Sequence, residues 1–118
     1  MIATLPSIEI RKVEQSRVSQ VDWDNLGFGK VFSDHMCVVE YKDGKWGAPV
    51  IQPYGPMNFS PAISALHYGQ ALFEGLKAFK NDQNEVFVFR PDKNAHRLNV
   101  SARRLCMPEF PEDLFVEC

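Results

Sequence analysis

His35-Met-Cys-Val-Val-Glu-Tyr-Lys-Asp-Gly-Lys-Trp-Gly-Ala-Pro-Val-Ile-Gln52 is the stretch that decides the fold class. A valine-rich run, His35 to Tyr41, faces a second apolar run, Trp46 to Gln52, across Lys42-Asp-Gly-Lys45. Asp43-Gly44 at the centre marks a β-hairpin, because both central residues of a type I′ turn need positive φ. Pro53-Tyr-Gly-Pro56 closes the second strand, since proline has no N–H for a ladder.

Working outward, residues 1–27 are polar and without period, which predicts an N-terminal arm with one short strand around Ile8–Val13. Asn25-Leu-Gly-Phe-Gly29 is a glycine-punctuated loop. Downstream, Ser60-Pro61 and Ser64 open a turn or short helix over 62–70. Leu72 to Lys80 and Glu85 to Arg90 read as strands joined by the polar turn Asn81-Asp-Gln-Asn84.

Pro91-Asp92 starts a helix. Proline is tolerated in the first turn, Asp can cap the open N–H groups, and Pro108 lies just past the end near Cys106. On that helix Leu98, Ala102, Leu105 and Cys106 share one arc, the expected core face. Arg97, Ser101 and Arg104 fall on the opposite side, within roughly 60° of one another. The layout is α+β: antiparallel β-hairpins packed with one main helix. Pro111 to Cys118 reads as the start of a further helix.

The 118 residues suit one domain, and nine Phe, three Tyr and two Trp argue against disorder. Thirteen Lys+Arg against fifteen Asp+Glu, a formal charge of −2, give no electrostatic reason to expect nucleic acid as a partner. No run approaches the roughly 18 apolar residues of a membrane helix. The first ten residues lack the basic and apolar regions of a signal peptide. Cys37, Cys106 and Cys118 are odd in number and far apart, which fits a reducing, cytoplasmic setting better than a disulfide framework.

Several residues could carry chemistry. His35, His67 and His96 stand about thirty residues apart with no second ligand at helical spacing, so no metal site is expected. Gly27-Phe-Gly29 lacks the third glycine and the helix of a dinucleotide fingerprint. Cys106 has no basic cradle and reads as a small core residue. Lys77 sits between Leu76 and Ala78; a buried lysine there could form a Schiff base, but an edge-strand lysine with its ammonium in water accounts for it as well.

Arg97 with Ser101 and Arg104 is the most suggestive group. A guanidinium fork matches a phosphate, although a solvated face paired with acids elsewhere would look the same. Phe28, Tyr68 and Phe73 either line an apolar pocket or belong to the core.

Two stretches go further. Leu66-His-Tyr-Gly-Gln-Ala-Leu-Phe-Glu-Gly-Leu-Lys-Ala-Phe79 is followed by Phe89-Arg-Pro-Asp-Lys-Asn-Ala-His-Arg-Leu-Asn-Val-Ser-Ala-Arg-Arg-Leu-Cys-Met-Pro108. Together with Phe28-Gly-Lys-Val-Phe-Ser-Asp-His-Met36 upstream, they closely resemble the branched-chain amino acid aminotransferases of fold type IV, in the subgroup that includes the eukaryotic enzymes. The resemblance covers roughly residues 23–118.

That resemblance implies transfer of the amino group of leucine, isoleucine or valine to 2-oxoglutarate through pyridoxal phosphate, in a homodimer. It places Arg97 on the cofactor phosphate, and Phe28, Tyr68, Phe73 and Gly75 around the substrate side chain. In the family the Schiff-base lysine lies in a C-terminal domain, beyond the point that matches Cys118. The resemblance therefore gives Lys77 no catalytic role and assigns no catalytic residue to this chain. The resemblance implies an N-terminal fragment, inactive alone, in which residues 28–118 after the 1–27 arm are an incomplete small domain. The alternatives are another fold-type-IV pyridoxal enzyme, such as a D-amino acid aminotransferase or aminodeoxychorismate lyase, and a short binding protein without catalysis.

Overall fold

The computed structural model describes residues 6–118, and the first five residues of the arm lie outside it. The chain divides into two compact units, with the boundary between Asn58 and Phe59.

The first unit is built on a three-stranded sheet. Strand β1 (Glu9–Ile10) runs parallel to β5 (Val50–Pro53), and β2 (His35–Val38) pairs with the other edge of β5 in antiparallel register, Cys37 opposite Ile51. Between β2 and β5 the chain rises into a two-stranded ribbon, β3 (Tyr41–Lys42) and β4 (Lys45–Trp46). Asp43 at φ 52° and Gly44 at φ 78° form its turn, both positive as a type I′ turn requires. Tyr41 and Trp46 meet across the ribbon edge to face, ring centres 4.9 Å apart.

The predicted long hairpin is thus interrupted. Gly47-Ala48-Pro49 separates ribbon from sheet, because Pro49 has no N–H to continue the ladder. Pro49 is instead buried, and its carbonyl accepts the Glu9 N–H at 3.1 Å. The strand expected over 8–13 forms only at Glu9–Ile10. Past it, the Val13 N–H donates to Nε2 of His35 at 3.0 Å, which withdraws that backbone from any ladder. Farther along, Asp34 accepts from Ser16 Oγ at 2.6 Å and from both the backbone N–H and Nε of Arg17. A single 3₁₀ turn, Val18–Gln20, follows.

The second unit holds helix α1 (Ser64–Tyr68), the hairpin β6 (Ala78–Lys80) and β7 (Val86–Val88), the long helix α2 (Pro91–Arg104), and α3 (Glu112–Glu117) packed on α2. The β6–β7 turn is organised by Asn81, whose Oδ1 accepts the N–H groups of Gln83 and Glu85 at 3.0 and 2.9 Å. The strands are shorter than predicted. The Gly75 carbonyl is taken by Asn94 before β6 begins, and Arg90, at φ 50°, turns the chain out of extended backbone after β7.

Two expectations for α2 need correction. No side chain caps its N-terminus: the cap position is Arg90 in left-handed conformation, with Pro91 behind it and Asp92 in the first turn near the positive helix end. Its buried face is Ala95, Asn99 and Ala102, with Leu98 half-buried and Leu105 and Cys106 exposed. The helix ends at Arg104, so the periodicity does not carry Cys106 inward. Cys106 instead turns to φ 53°, and its N–H donates to the Arg103 carbonyl at 3.2 Å while the Met107 N–H reaches the Ala102 carbonyl at 2.9 Å. This is the Schellman closure, with cysteine where glycine is usual.

The core is small for the chain. Among the described residues the buried hydrophobic side chains are Ala95, Ala102 and Leu114, with Pro49 also enclosed. The accessible surface is 10149 Å². Even two separate compact bodies of half this mass would expose only about 7,800 Å². Phe73, Phe79, Phe87 and Phe89 are among the large apolar side chains left facing water.

Candidate functional site

The most organised polar cluster lies where the 73–75 segment meets α2. Asn94 and Arg97 are three apart in sequence, so they share a helix face. Opposite them stands the Glu74 carboxylate, only 6% exposed. Arg97 Nε donates to Oε2 of Glu74 at 2.7 Å, and Arg97 Nη2 donates to Oε1. Asn94 Nδ2 donates to the same Oε1 and to the Gly75 carbonyl, both at 3.0 Å, and the Gly75 N–H donates to Oε1 at 2.9 Å. A buried carboxylate is costly unless donors meet it, and here four do, three on Oε1 and one on Oε2. These donors, the Arg97 hydrogen bonds first, hold Glu74 down at about 2 against desolvation that pushes it up. The same pairing raises the Arg97 guanidinium above its ordinary value.

Arg97 is itself exposed and lines a depression of ≈ 340 Å³ with Phe89, Arg90, Lys93 and Asn94. Lys93, Asn94 and Arg97 follow helical spacing, and Arg90 at the helix cap joins them; Glu74 pairs with Arg97, and Asp92 stands 3.6 Å from the Lys93 ammonium. Ser101 and Arg104, which the sequence grouped with Arg97, do not line it. Arg90, Lys93, Asn94 and Glu74 were missed. The first three carried a readable signal in their spacing, whereas Glu74 lies twenty residues from Asn94 and carried none.

The other expected site residues are not core. Tyr68 and Phe73 are 87% and 94% exposed, and Phe28, in the first unit, is fully exposed. Gly75 is joined to the Arg97 cluster through Asn94, but a Cβ added there would have nothing within 4 Å beyond its chain neighbours. Its glycine is therefore not demanded by the chain's own packing. Lys77 lies just outside β6 with its side chain exposed. The first unit has its own cleft, ≈ 550 Å³, with Val18, Val21, Trp23, Leu26, Val31 and Phe32 on its apolar wall.

Among the described residues no group of His, Cys, Asp and Glu gathers to hold a metal ion, and no helix is long and apolar enough to cross a membrane.

No family model matches the chain. Curated relatives do. Branched-chain-amino-acid transaminase 1 of Bacillus subtilis is 48% identical over 97 residues, which is 81% of this chain and 27% of the relative. The mitochondrial branched-chain-amino-acid aminotransferase of Mus musculus is 42% identical over 112 residues, 94% of this chain and 28% of that protein. The mitochondrial enzyme of Saccharomyces cerevisiae is 44% identical over 96 residues, 80% and 24% of the two chains. The chain thus spans about a quarter of the length of the curated relatives it matches, and identity at this level along most of its length is common descent. By sequence, this chain is similar along most of its length to the branched-chain-amino-acid aminotransferases, of which it matches about a quarter.

Proposed function

We propose that this chain is the N-terminal part of an enzyme that moves the amino group of leucine, isoleucine or valine to 2-oxoglutarate, and that the 118 residues are inactive alone. The observation that carries the reading is the 48% identity, over 81% of this chain, to a branched-chain-amino-acid transaminase that it matches over 27% of that protein's length. The surface supports it. The apolar area left open is what the remainder of a larger subunit, and a second subunit in a homodimer, would cover.

The residues of the Arg97 depression fit the phosphate of pyridoxal 5′-phosphate. Arg97 is a planar donor fork on an exposed helix face, with Arg90 and Lys93 beside it. When bound, that cofactor supplies the electron sink for amino-group transfer. Arg97 binds and orients its phosphate. Phe28, Tyr68 and Phe73 supply apolar surface for a branched side chain, at about 0.8 kcal/mol per buried methylene. The Tyr68 phenol orients a polar group of the substrate. Gly75 leaves room for the substrate, which accounts for a glycine that the chain's own packing does not require. The lysine that carries the cofactor lies outside these 118 residues, and the setting is cytoplasmic.

The test is expression of the complete reading frame beside the 118-residue chain, with glutamate formation from leucine and 2-oxoglutarate as the readout. Turnover by the longer protein only is the expected result. Turnover of D-alanine instead would assign it to the D-amino acid aminotransferases.

A further inference from the structure

We infer that Glu74 is a positioning residue, which clamps one edge of the Arg97 guanidinium so that the adjacent edge is presented to an anion; this rests on the assignment of Arg97 to the cofactor phosphate. The starting point is a conflict. An arginine meant for phosphate is already bound to a carboxylate, and a salt bridge of that kind would ordinarily consume it.

The geometry resolves the conflict. A guanidinium is planar and has two usable edges, one made by Nε and Nη2 and the other by Nη1 and Nη2. Glu74 takes the first edge, through both Nε and Nη2. Three of the five N–H groups remain, and planarity sets two of them, one on Nη1 and one on Nη2, as a second fork turned away from Glu74. Arginine has many rotatable bonds, so an unclamped Arg97 would lose that aim to rotamer freedom on an exposed face.

The clamp is itself anchored. The Glu74 carboxylate is almost wholly buried and is held by Asn94 and by the Gly75 N–H as well as by Arg97. Asn94 also holds the Gly75 carbonyl. One carboxylate therefore ties the 73–75 segment, which we assign to the substrate, to the helix that carries the phosphate arginine. A surface-neutralising acid needs none of this burial.

The test uses the full-length protein and titration with pyridoxal 5′-phosphate. Glu74→Gln removes a negative charge beside an anion site, so Coulomb's law alone makes binding tighter. Loss of aim makes it weaker. The expected result is a dissociation constant about tenfold higher in Glu74→Gln. In an Arg97→Gln background the same change adds nothing, because Glu74 acts through Arg97.

Tighter or unchanged binding in Glu74→Gln, with Arg97→Gln still weakened, overturns the positioning role and leaves the phosphate assignment standing. An unchanged constant in Arg97→Gln removes the assignment and the positioning role together.

If Glu74→Gln does not fold, the wild-type Arg97 Nε–H decides by nitrogen-15 NMR. A resonance still protected from exchange when the cofactor is added, with the Nη signals shifted, supports the clamp. Loss of that protection means that Arg97 leaves Glu74 to reach the anion, and the inference falls.

Discussion

Asn99 holds the backbone of Phe110 on both sides. Its Nδ2 donates to the Phe110 carbonyl and its Oδ1 accepts the Phe110 N–H, each at 2.8 Å. The side chain is 4% exposed, in the middle of the buried face of α2. A side-chain amide presents a donor and an acceptor side by side in one plane, as a strand does, so it substitutes for a neighbouring strand. This pair of hydrogen bonds fixes the loop that brings Pro111 and α3 back onto α2, with Leu114 buried.

Asn99→Leu keeps the branched shape, adds bulk, and removes both hydrogen bonds to the Phe110 peptide in a partly buried loop. The expected loss is about 2–3 kcal/mol, read as a lower urea midpoint. A loss below about 0.5 kcal/mol would show that the loop holds itself.

Cys106 stands at φ 53° where a Schellman closure favours glycine, and its side chain is exposed, so removing it forfeits no burial. Cys106→Gly should stabilise the protein by about 0.5–1 kcal/mol, the left-handed penalty less the entropy glycine adds to the unfolded chain. Cys106→Val should destabilise it, since branching at Cβ worsens the same conformation. Paired urea melts of the two variants would settle the order.

Gly44→Ala probes the ribbon turn. A Cβ at Gly44 meets nothing within 4 Å, so the whole effect is backbone strain at φ 78°. A loss of about 1 kcal/mol is expected, confined to the first unit. Chemical shifts of Tyr41 and Trp46 report it directly.

Acid should weaken the second unit through Glu74. Its folded pKa, about 2, lies below its ordinary 4.5. A depressed carboxylate contributes stability that is fully present above the unfolded value and disappears as pH falls from about 4.5 toward 2. Glu74→Gln should flatten that part of the stability profile; a profile with unchanged slope would place the acid sensitivity elsewhere.

In the full-length protein, Arg97→Ala should raise the apparent dissociation constant for pyridoxal phosphate tenfold or more, about 1.4 kcal/mol. Tyr68→Phe should leave the bound cofactor's absorbance intact and lower turnover. Release of cofactor by Tyr68→Phe would move Tyr68 from the substrate to the cofactor.

Local chemistry was legible in the sequence wherever a few neighbouring residues decide the outcome. Asp43-Gly44 specified its turn because positive φ is a property of the residues themselves. Asn81 to Asn84 did likewise, and so did Pro91 at the head of α2. The likeness to the branched-chain-amino-acid aminotransferases was legible too, from residue order in three separated stretches. Tertiary structure alone decided how far each pattern extended. Cys106 sits on the right arc for burial, yet the helix ends before reaching it. Asn99 reads as a polar interruption until Phe110 arrives eleven residues later to satisfy it. Glu74 reads as one acid in an apolar run until α2 brings Asn94 and Arg97 against it. Periodicity reports only which way a side chain points along its own element. What it meets there depends on residues distant in sequence, and burial of a charge is set by those partners alone.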